Sequence, residues 1–401
     1  ALRVIQRNKG FSFIKISSLA IGMACCILIL LFVRYEFSFD DFQANKDRIF
    51  RVLSELDLAQ GTEIVPITAL PLAPAIKNDL QEITKMTRIS KVGERLFKVG
   101  GKRFSEDLFY VDADFFSIFT FPLILGDPKT ALVEPYSLVI NEDIAEKYFG
   151  KIDPVGKTIT IQNSQDFKIT GVMKNVPGNS HLRFDILGSF SSRNNEERVR
   201  GNYWDRFSND YTYVLLAEGV NPKELDTKLH DLMKKYIPIE DDRYNLHLQS
   251  LKDIHFSRYN YDIARRTDKE YLYAYSAIAF FFLIIACINF MNLATARSSC
   301  RAKEVGIRKV VGAHRAQLIK QFFTESVVMA LLSLIVAIGL VMLLLPRLNK
   351  FVRRELTLDV FSDIGLLVGL LGISLFVGFI SGSYPALILS AFNPARVLKK
   401  S

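Results

Sequence analysis

The chain has 401 residues, is 49% hydrophobic and carries a formal net charge of +9. That length allows about two or three domains. The basic residues flank long apolar runs and form no evident cluster with aromatic residues, so the positive balance gives no reason to invoke nucleic acid. The apolar runs exclude a wholly water-soluble fold.

Arg3, Arg7 and Lys9 come before the first apolar run, Ile16 to Val33, which has Lys15 at its edge. A secretory signal has an apolar core of about 7–15 residues and ends at a small-residue cleavage site. Here the run leads straight into Arg34-Tyr-Glu-Phe-Ser-Phe-Asp-Asp41. The reading is a cytoplasmic amphipathic start over 1–10 and a retained transmembrane helix over 11–33.

Residues 34–270 carry 37 acidic against 33 basic side chains and no cysteine. Without disulfides this segment must fold on its own core. Arg48–Leu53 reads as a strand. Pro71–Leu80 reads as a helix with proline in its first turn. Leu96–Val99 and Arg103–Tyr110 flank a Gly100-Gly101 turn, as in a hairpin. Asn141 is placed to cap a helix ending at Phe149. Lys157–Gln162 and Phe167–Met173 form a second hairpin, and Tyr211–Leu216 is strand-like. Pro222–Tyr236 is helical and Tyr244–Leu251 alternates. The pattern is α+β, without a βαβ rhythm. His181, His230, His247, His255 and His314 form no metal-ligand spacing, so no metal site is expected. Asp40-Asp41 and Asp112 with Asp114 read as turn or cap residues rather than catalytic pairs, and no catalytic cluster stands out.

One stretch within this segment imitates a phosphate-binding loop. Gly150-Lys-Ile-Asp-Pro-Val-Gly-Lys-Thr158 ends in Gly-Lys-Thr but has one residue too many between its glycines. A phosphate loop also follows a strand and opens a helix. This one follows a helix and opens a strand, so it reads as a turn shaped by Pro154 and Gly156.

Three more runs are long enough to cross a bilayer: Tyr271–Ala296, Val327–Leu345 and Ile364–Leu389. The predicted division is transmembrane helices over 271–296, 321–346 and 364–390, an outer loop over 347–363 and a cytoplasmic tail over 391–401. Basic residues gather before the first span, between the second and third, and after the fourth. All three places fall on one side, which the charge bias makes cytoplasmic. Cys25, Cys26 and Cys287 fall in spans, and Cys300 at the cytoplasmic side. Asn289 and Asn292, three apart, suit polar contacts between helices. Glu325 stands at the mouth of the third span, where it is expected to stay at the interface or pair with a base. No intramembrane acid provides a proton relay.

The cytoplasmic loop over 297–320 holds the most informative stretch, "RAKEVGIRKVVGAHRAQLIKQFFTES". Glu304 and Arg308 form a favourable i,i+4 pair. Gly312 is placed to end a short amphipathic helix. Gly306 inside that helix costs up to about 1 kcal/mol relative to alanine, which close approach by another surface would explain.

This stretch resembles the signature of the FtsX-like permeases, which include MacB-type transporters. "NKGFSFIKISSLAIGMACCILIL", "YTYVLL", "CINFMNLATARS" and "SYPALILSAFNPARVLKK" resemble the family too, and "DPVGKTI" is similar to turns in the family's outer domains. The resemblance implies four transmembrane helices with a large extracytoplasmic MacB-like α+β domain, 34–270, between helices 1 and 2. It implies an ABC permease of the mechanotransmission type in a bacterial inner membrane. Arg301, Lys303, Glu304, Gly306, Arg308, Gly312 and Ala313 would then couple to a cytoplasmic ATPase. That ATPase, with its ATP and Mg, is expected on a separate chain, and this chain is expected to bind no cofactor. A second permease unit would pair with it, as a homodimer or as the other half of a tandem protein. A periplasmic adaptor or a substrate lipoprotein would be the outer partner, with the lipid bilayer around the spans and no nucleic acid. The size of the outer domain favours export of a drug, peptide or lipoprotein. The alternatives are control of a cell-wall hydrolase and a membrane-anchored ligand sensor.

Overall fold

The computed structural model describes residues 9–58, 61–193, 203–204, 210–236, 244–296, 309–311, 313–360 and 362–391. The chain opens with α1 (Lys9–Phe37), then β1 (Ile49–Leu58), β2 (Gly61–Val65), α2 (Leu72–Asp79), β3 (Ile83–Val99) and β4 (Lys102–Val111). Next come α3 (Phe115–Ile118), β5 (Leu123–Leu125), β6 (Ser137–Asn141), α4 (Glu142–Phe149), β7 (Thr158–Ile161), β8 (Gln165–Met173) and β9 (Ile186–Ser189). β10 (Asp210–Leu216), α5 (Pro222–Tyr236), β11 (Tyr244–Ser250) and α6 (Leu251–Ile254) follow. Three long helices complete the order: α7 (Lys269–Thr295), α8 (Arg315–Val352) and α9 (Ile364–Ala391). The chain divides into two units, Ser38–Asp268 and Ala1–Phe37 with Lys269–Ser401.

In the second of these, α1, α7, α8 and α9 are each long and apolar enough to cross a membrane. Their shared core includes Met23 and Ile27 of α1, Phe290 of α7, Ala337 of α8 and Val377 of α9. Lipid is as apolar as these side chains, so close packing must hold the helices together. A Cβ on Gly22 would stand 2.4 Å from the Ala286 Cβ, so α1 and α7 touch at backbone distance. Gly378 and Gly382 do the same for α9, against Val327 and Ser326 of α8.

Two helices outrun the apolar stretches that predict them. α1 continues past Val33 to Phe37, and α8 starts at Arg315 and ends at Val352, beyond the expected 321–346. At the start of α8 the Gln317 side chain accepts a hydrogen bond from the His314 backbone N–H (3.2 Å). At the other end the helix passes through Pro346 and stops at Arg353, in the left-handed region (φ 53°). The hydrocarbon core sets the apolar length, while polar end turns extend into the interface.

The outer unit is built on an 11-stranded sheet of order β11-β1-β10-β3-β4-β9-β6-β8-β5, with β2 on β1 and β7 bridging β3 and β8. β10 lies between β1 and β3 and is buried along its whole length. That placement accounts for the near-continuous apolar "YVLL", where a half-exposed strand would alternate. The class is α+β as read, but β4 pairs with β9 and β6 with β8 in parallel. The amphipathic α4 starts the crossover that returns the chain parallel to β6.

The imitation phosphate loop is a helix-to-strand turn. The Asn141 side chain caps α4 by accepting from the Ile144 N–H (2.9 Å). Gly150 and Gly156 both have positive φ (62° and 84°), which suits glycine. The Gly156 N–H donates to the Ile169 carbonyl (2.8 Å), so this amide is taken up by the sheet rather than left for a phosphate.

Candidate functional site

The residues expected to meet an ATPase fall mostly outside the described residues: Arg301, Lys303, Glu304, Gly306, Arg308 and Gly312. Ala313 is half-buried, directly before His314. Within the spans, Asn289 Nδ2 donates to Ser18 Oγ on α1 (2.6 Å). Asn292, about 60° further round α7 by helical geometry, is exposed and lines a recess of about 510 Å³ with Met291, Thr295 and Ala296. Among the described residues its side chain makes no hydrogen bond to another helix. Glu325, expected at the interface or paired with a base, is buried. It is 6% exposed, on the buried face of α8 with Phe322, Ser326 and Met329.

The densest polar construction was not legible as a site. It lies in the outer unit, where the chain has just left α1 and where it is about to enter α7. Phe39 stacks face to face on His255 (centroids 3.5 Å, planes at 8°). His255 Nδ1 bonds to the Arg265 carbonyl (2.7 Å). The Asp40 N–H donates to the Asn179 carbonyl (2.8 Å), and Asn179 Nδ2 donates back to the Ser38 carbonyl (2.8 Å). Asp40, in the left-handed region (φ 56°), accepts from the Ser180 hydroxyl and the His181 N–H.

From Asp40 a buried chain of polar groups runs into the sheet. Asp40 Oδ2 lies 2.8 Å from His181 Nδ1, and His181 Nε2 lies 3.0 Å from the Tyr213 hydroxyl. Tyr213 stands opposite Arg51 in the β10–β1 register. Arg51 then forks onto Asp262 (2.8 and 2.9 Å) and onto Gln249 Oε1 (3.1 and 2.7 Å). Neither Arg51 nor Asp262 exposes any of its side chain.

Burial pushes the Tyr213 hydroxyl well above its usual pKa, so it stays protonated beside His181 Nε2. One set of polar groups runs from Asp40, three residues beyond α1, through His181 to Tyr213, and a second from Arg51, opposite Tyr213 in the register, to Asp262, seven residues before α7. Fully satisfied buried networks of this kind rigidify a fold.

Asp40 lies in a turn, as read, and also holds a buried histidine. Asp112 takes the Arg88 guanidinium and backbone N–H (2.7–2.9 Å), and Asp114 sits at the N-cap position of α3. One signal in the sequence could have found the network. Arg51 is a lone charge inside the apolar strand Ile49–Leu53, and charged residues are almost never fully buried unless paired.

The membrane unit has its own ties at the outer end of α1. Arg354 Nε donates to Glu36 Oε1 (2.6 Å), with Glu36 wholly buried and Arg354 13% exposed. Arg34 pairs with Asp363, just before α9. Both bonds tie α1 to the segment between α8 and α9.

The family model described as MacB-like periplasmic core domain matches residues 12–232, and that described as FtsX-like permease C-terminal matches 276–394. The chain belongs to the MacB/FtsX-like family of ABC transporter permeases. This permease is an inner-membrane, multi-pass protein whose Ser38–Asp268 unit is extracytoplasmic. The macrolide export ATP-binding/permease protein MacB of Neisseria meningitidis serogroup A is 27% identical over 279 residues, covering 68% of this chain and 40% of the relative. The ABC transporter permease YknZ of Bacillus subtilis is 28% identical over 205 residues, covering 50% of this chain and 47% of its own length. The permease therefore spans less than half the length of these relatives. A crystal structure of a permease domain from Porphyromonas gingivalis aligns with a TM-score of 0.46 and 24% identity, covering 54% of this chain and 94% of that one.

Proposed function

We propose that this permease converts ATP binding and hydrolysis by a partner ABC ATPase into movement of its outer domain, in the export of a drug, peptide or lipoprotein. The base network carries this reading. The segment leaving α1 and the segment entering α7 are cross-tied by the Phe39–His255 stack and by two buried sets of hydrogen bonds that meet where Tyr213 and Arg51 pair in the sheet. Displacement of either segment is imposed on the sheet instead of being absorbed by a slack loop.

The ATPase, with its ATP and Mg, acts from a separate chain and meets the loop that includes Arg301, Lys303, Glu304, Gly306, Arg308, Gly312 and Ala313. YknZ, named as a permease alone, supports that arrangement. The MacB relatives, named for macrolide export, favour a small-molecule cargo. Two permease units pair, as a homodimer or as halves of one tandem protein, and an adaptor or a cargo lipoprotein meets the outer domain.

The test is copurification. Tagged permease is expressed in its own host, and the ABC ATPase that copurifies with it is identified. Glu304→Lys puts like charges four apart with Arg308 and reverses the charge offered to the ATPase. Binding is expected to weaken about tenfold, equivalent to ~1.4 kcal/mol, with transport lost. Unchanged binding and unchanged transport would sink the coupling role.

A further inference from the structure

We propose that the outer halves of α1 and α9 hold one acyl chain of a zwitterionic outer-leaflet phospholipid, with its head group lying across the Arg34–Asp363 pair. A recess of about 320 Å³ opens between Ile27 and Leu31 of α1 and Leu366 and Leu370 of α9. Apart from Arg34 its lining side chains are all hydrocarbon, and Gly365 and Gly369 leave it wide. A Cβ on Gly369 would meet nothing within 4 Å.

An empty recess forfeits dispersion contacts along its whole wall. Water does not fill it, because a buried water needs two to four polar partners. The solvent around membrane helices is lipid, so the occupant available in quantity is a hydrocarbon chain. The leaflet follows from the sequence: Arg34 comes four residues before the extracytoplasmic unit begins at Ser38.

The rim selects the head group. The Arg34 side chain is 55% exposed and that of Asp363 33%, so both charges can be reached. Asp363 Oδ1 accepts from the Leu366 N–H (2.9 Å), which fixes the carboxylate at the first turn of α9. A phosphate beside Arg34 and an ammonium beside Asp363 each meet the opposite charge. An anionic glycerol head group satisfies Arg34 but meets Asp363 as a like charge.

The probe is phosphatidylethanolamine carrying a diazirine in one acyl chain, incorporated into bilayer discs with the full permease. After irradiation, peptides containing Leu31 and Leu370 should be labelled several-fold more than the one containing Phe281 and Ile285, which are exposed on α7. Unlabelled phosphatidylethanolamine should compete, and phosphatidylglycerol should compete poorly. Gly369→Phe should reduce labelling to the α7 level. Asp363→Asn should remove the preference between the two lipids while leaving the chain labelled. Uniform labelling, labelling that survives in folded Gly369→Phe, or equal competition by both lipids in the wild type would overturn the proposal. A permease–permease cross-link at Leu370 in place of lipid adducts would also overturn it, because a second copy would then fill the recess.

Discussion

Arg51→Ala is expected to destabilise the outer domain by about 3–5 kcal/mol, the range for stranding one member of a buried ion pair. Arg51 and Asp262 expose none of their side chains, so the remaining carboxylate has no water to turn to. The loss also reaches Gln249, which shares the guanidinium. Set against a typical domain stability of about 5–15 kcal/mol, it is a large fraction of the whole. The chain contains a single tryptophan, Trp204, stacked on Tyr236 within the outer unit (5.1 Å). Its fluorescence during thermal unfolding therefore reports that unit alone, even in the full permease. The midpoint should fall sharply in Arg51→Ala. Replacing Arg51 and Asp262 together by Met and Leu should restore much of it, because no lone charge remains. An unchanged midpoint in the single variant would show that the network does not support the domain.

The second large effect is expected at the outer end of the membrane unit. Two ion pairs hold α1 to the segment between α8 and α9, and burial separates their worth. Glu36 is fully buried against Arg354, so Glu36→Ala should cost about 3–5 kcal/mol. Arg34 and Asp363 are substantially exposed, and Arg34→Gln should cost about 0–1 kcal/mol. The cysteines provide the readout. Cys25, Cys26 and Cys287 are free thiols in the spans, and the outer unit has none. With Cys300, at the cytoplasmic side, replaced by serine, a thiol-reactive dye therefore follows unfolding of the membrane unit in detergent. Equal midpoints for the two variants would contradict the ranking. Glu36→Arg with Arg354→Glu should recover part of the loss.

These features also mark how far the residues could be read in advance. Local signals were legible. Apolar length revealed four spans, Asn141 its cap, the two glycines their hairpin turn, and the order of helix and strand exposed the false phosphate loop. The base network was not legible, because its members are scattered along the chain. Asp40 and His181 are 141 positions apart, and Arg51 and Asp262 are 211 apart. No short spacing relates them; the sheet register brings them together. Glu36 and Arg354 are separated by 318 positions for the same reason. Helix ends were misjudged where polar turns continue beyond the hydrocarbon, and Asn289 and Asn292, alike in sequence, face different surroundings because helical rotation separates them.

The central claim is that nucleotide events on the ATPase reach the outer domain. Spin labels at Lys102, exposed at the β3–β4 turn, and at Phe351, 85% exposed near the end of α8, test it directly in the ATPase-bound permease. The distance distribution between them should shift when a non-hydrolysable ATP analogue binds, and should stay at the nucleotide-free position in Arg51→Ala. A distribution that is the same with and without nucleotide, while the ATPase is bound and turning over, would contradict it.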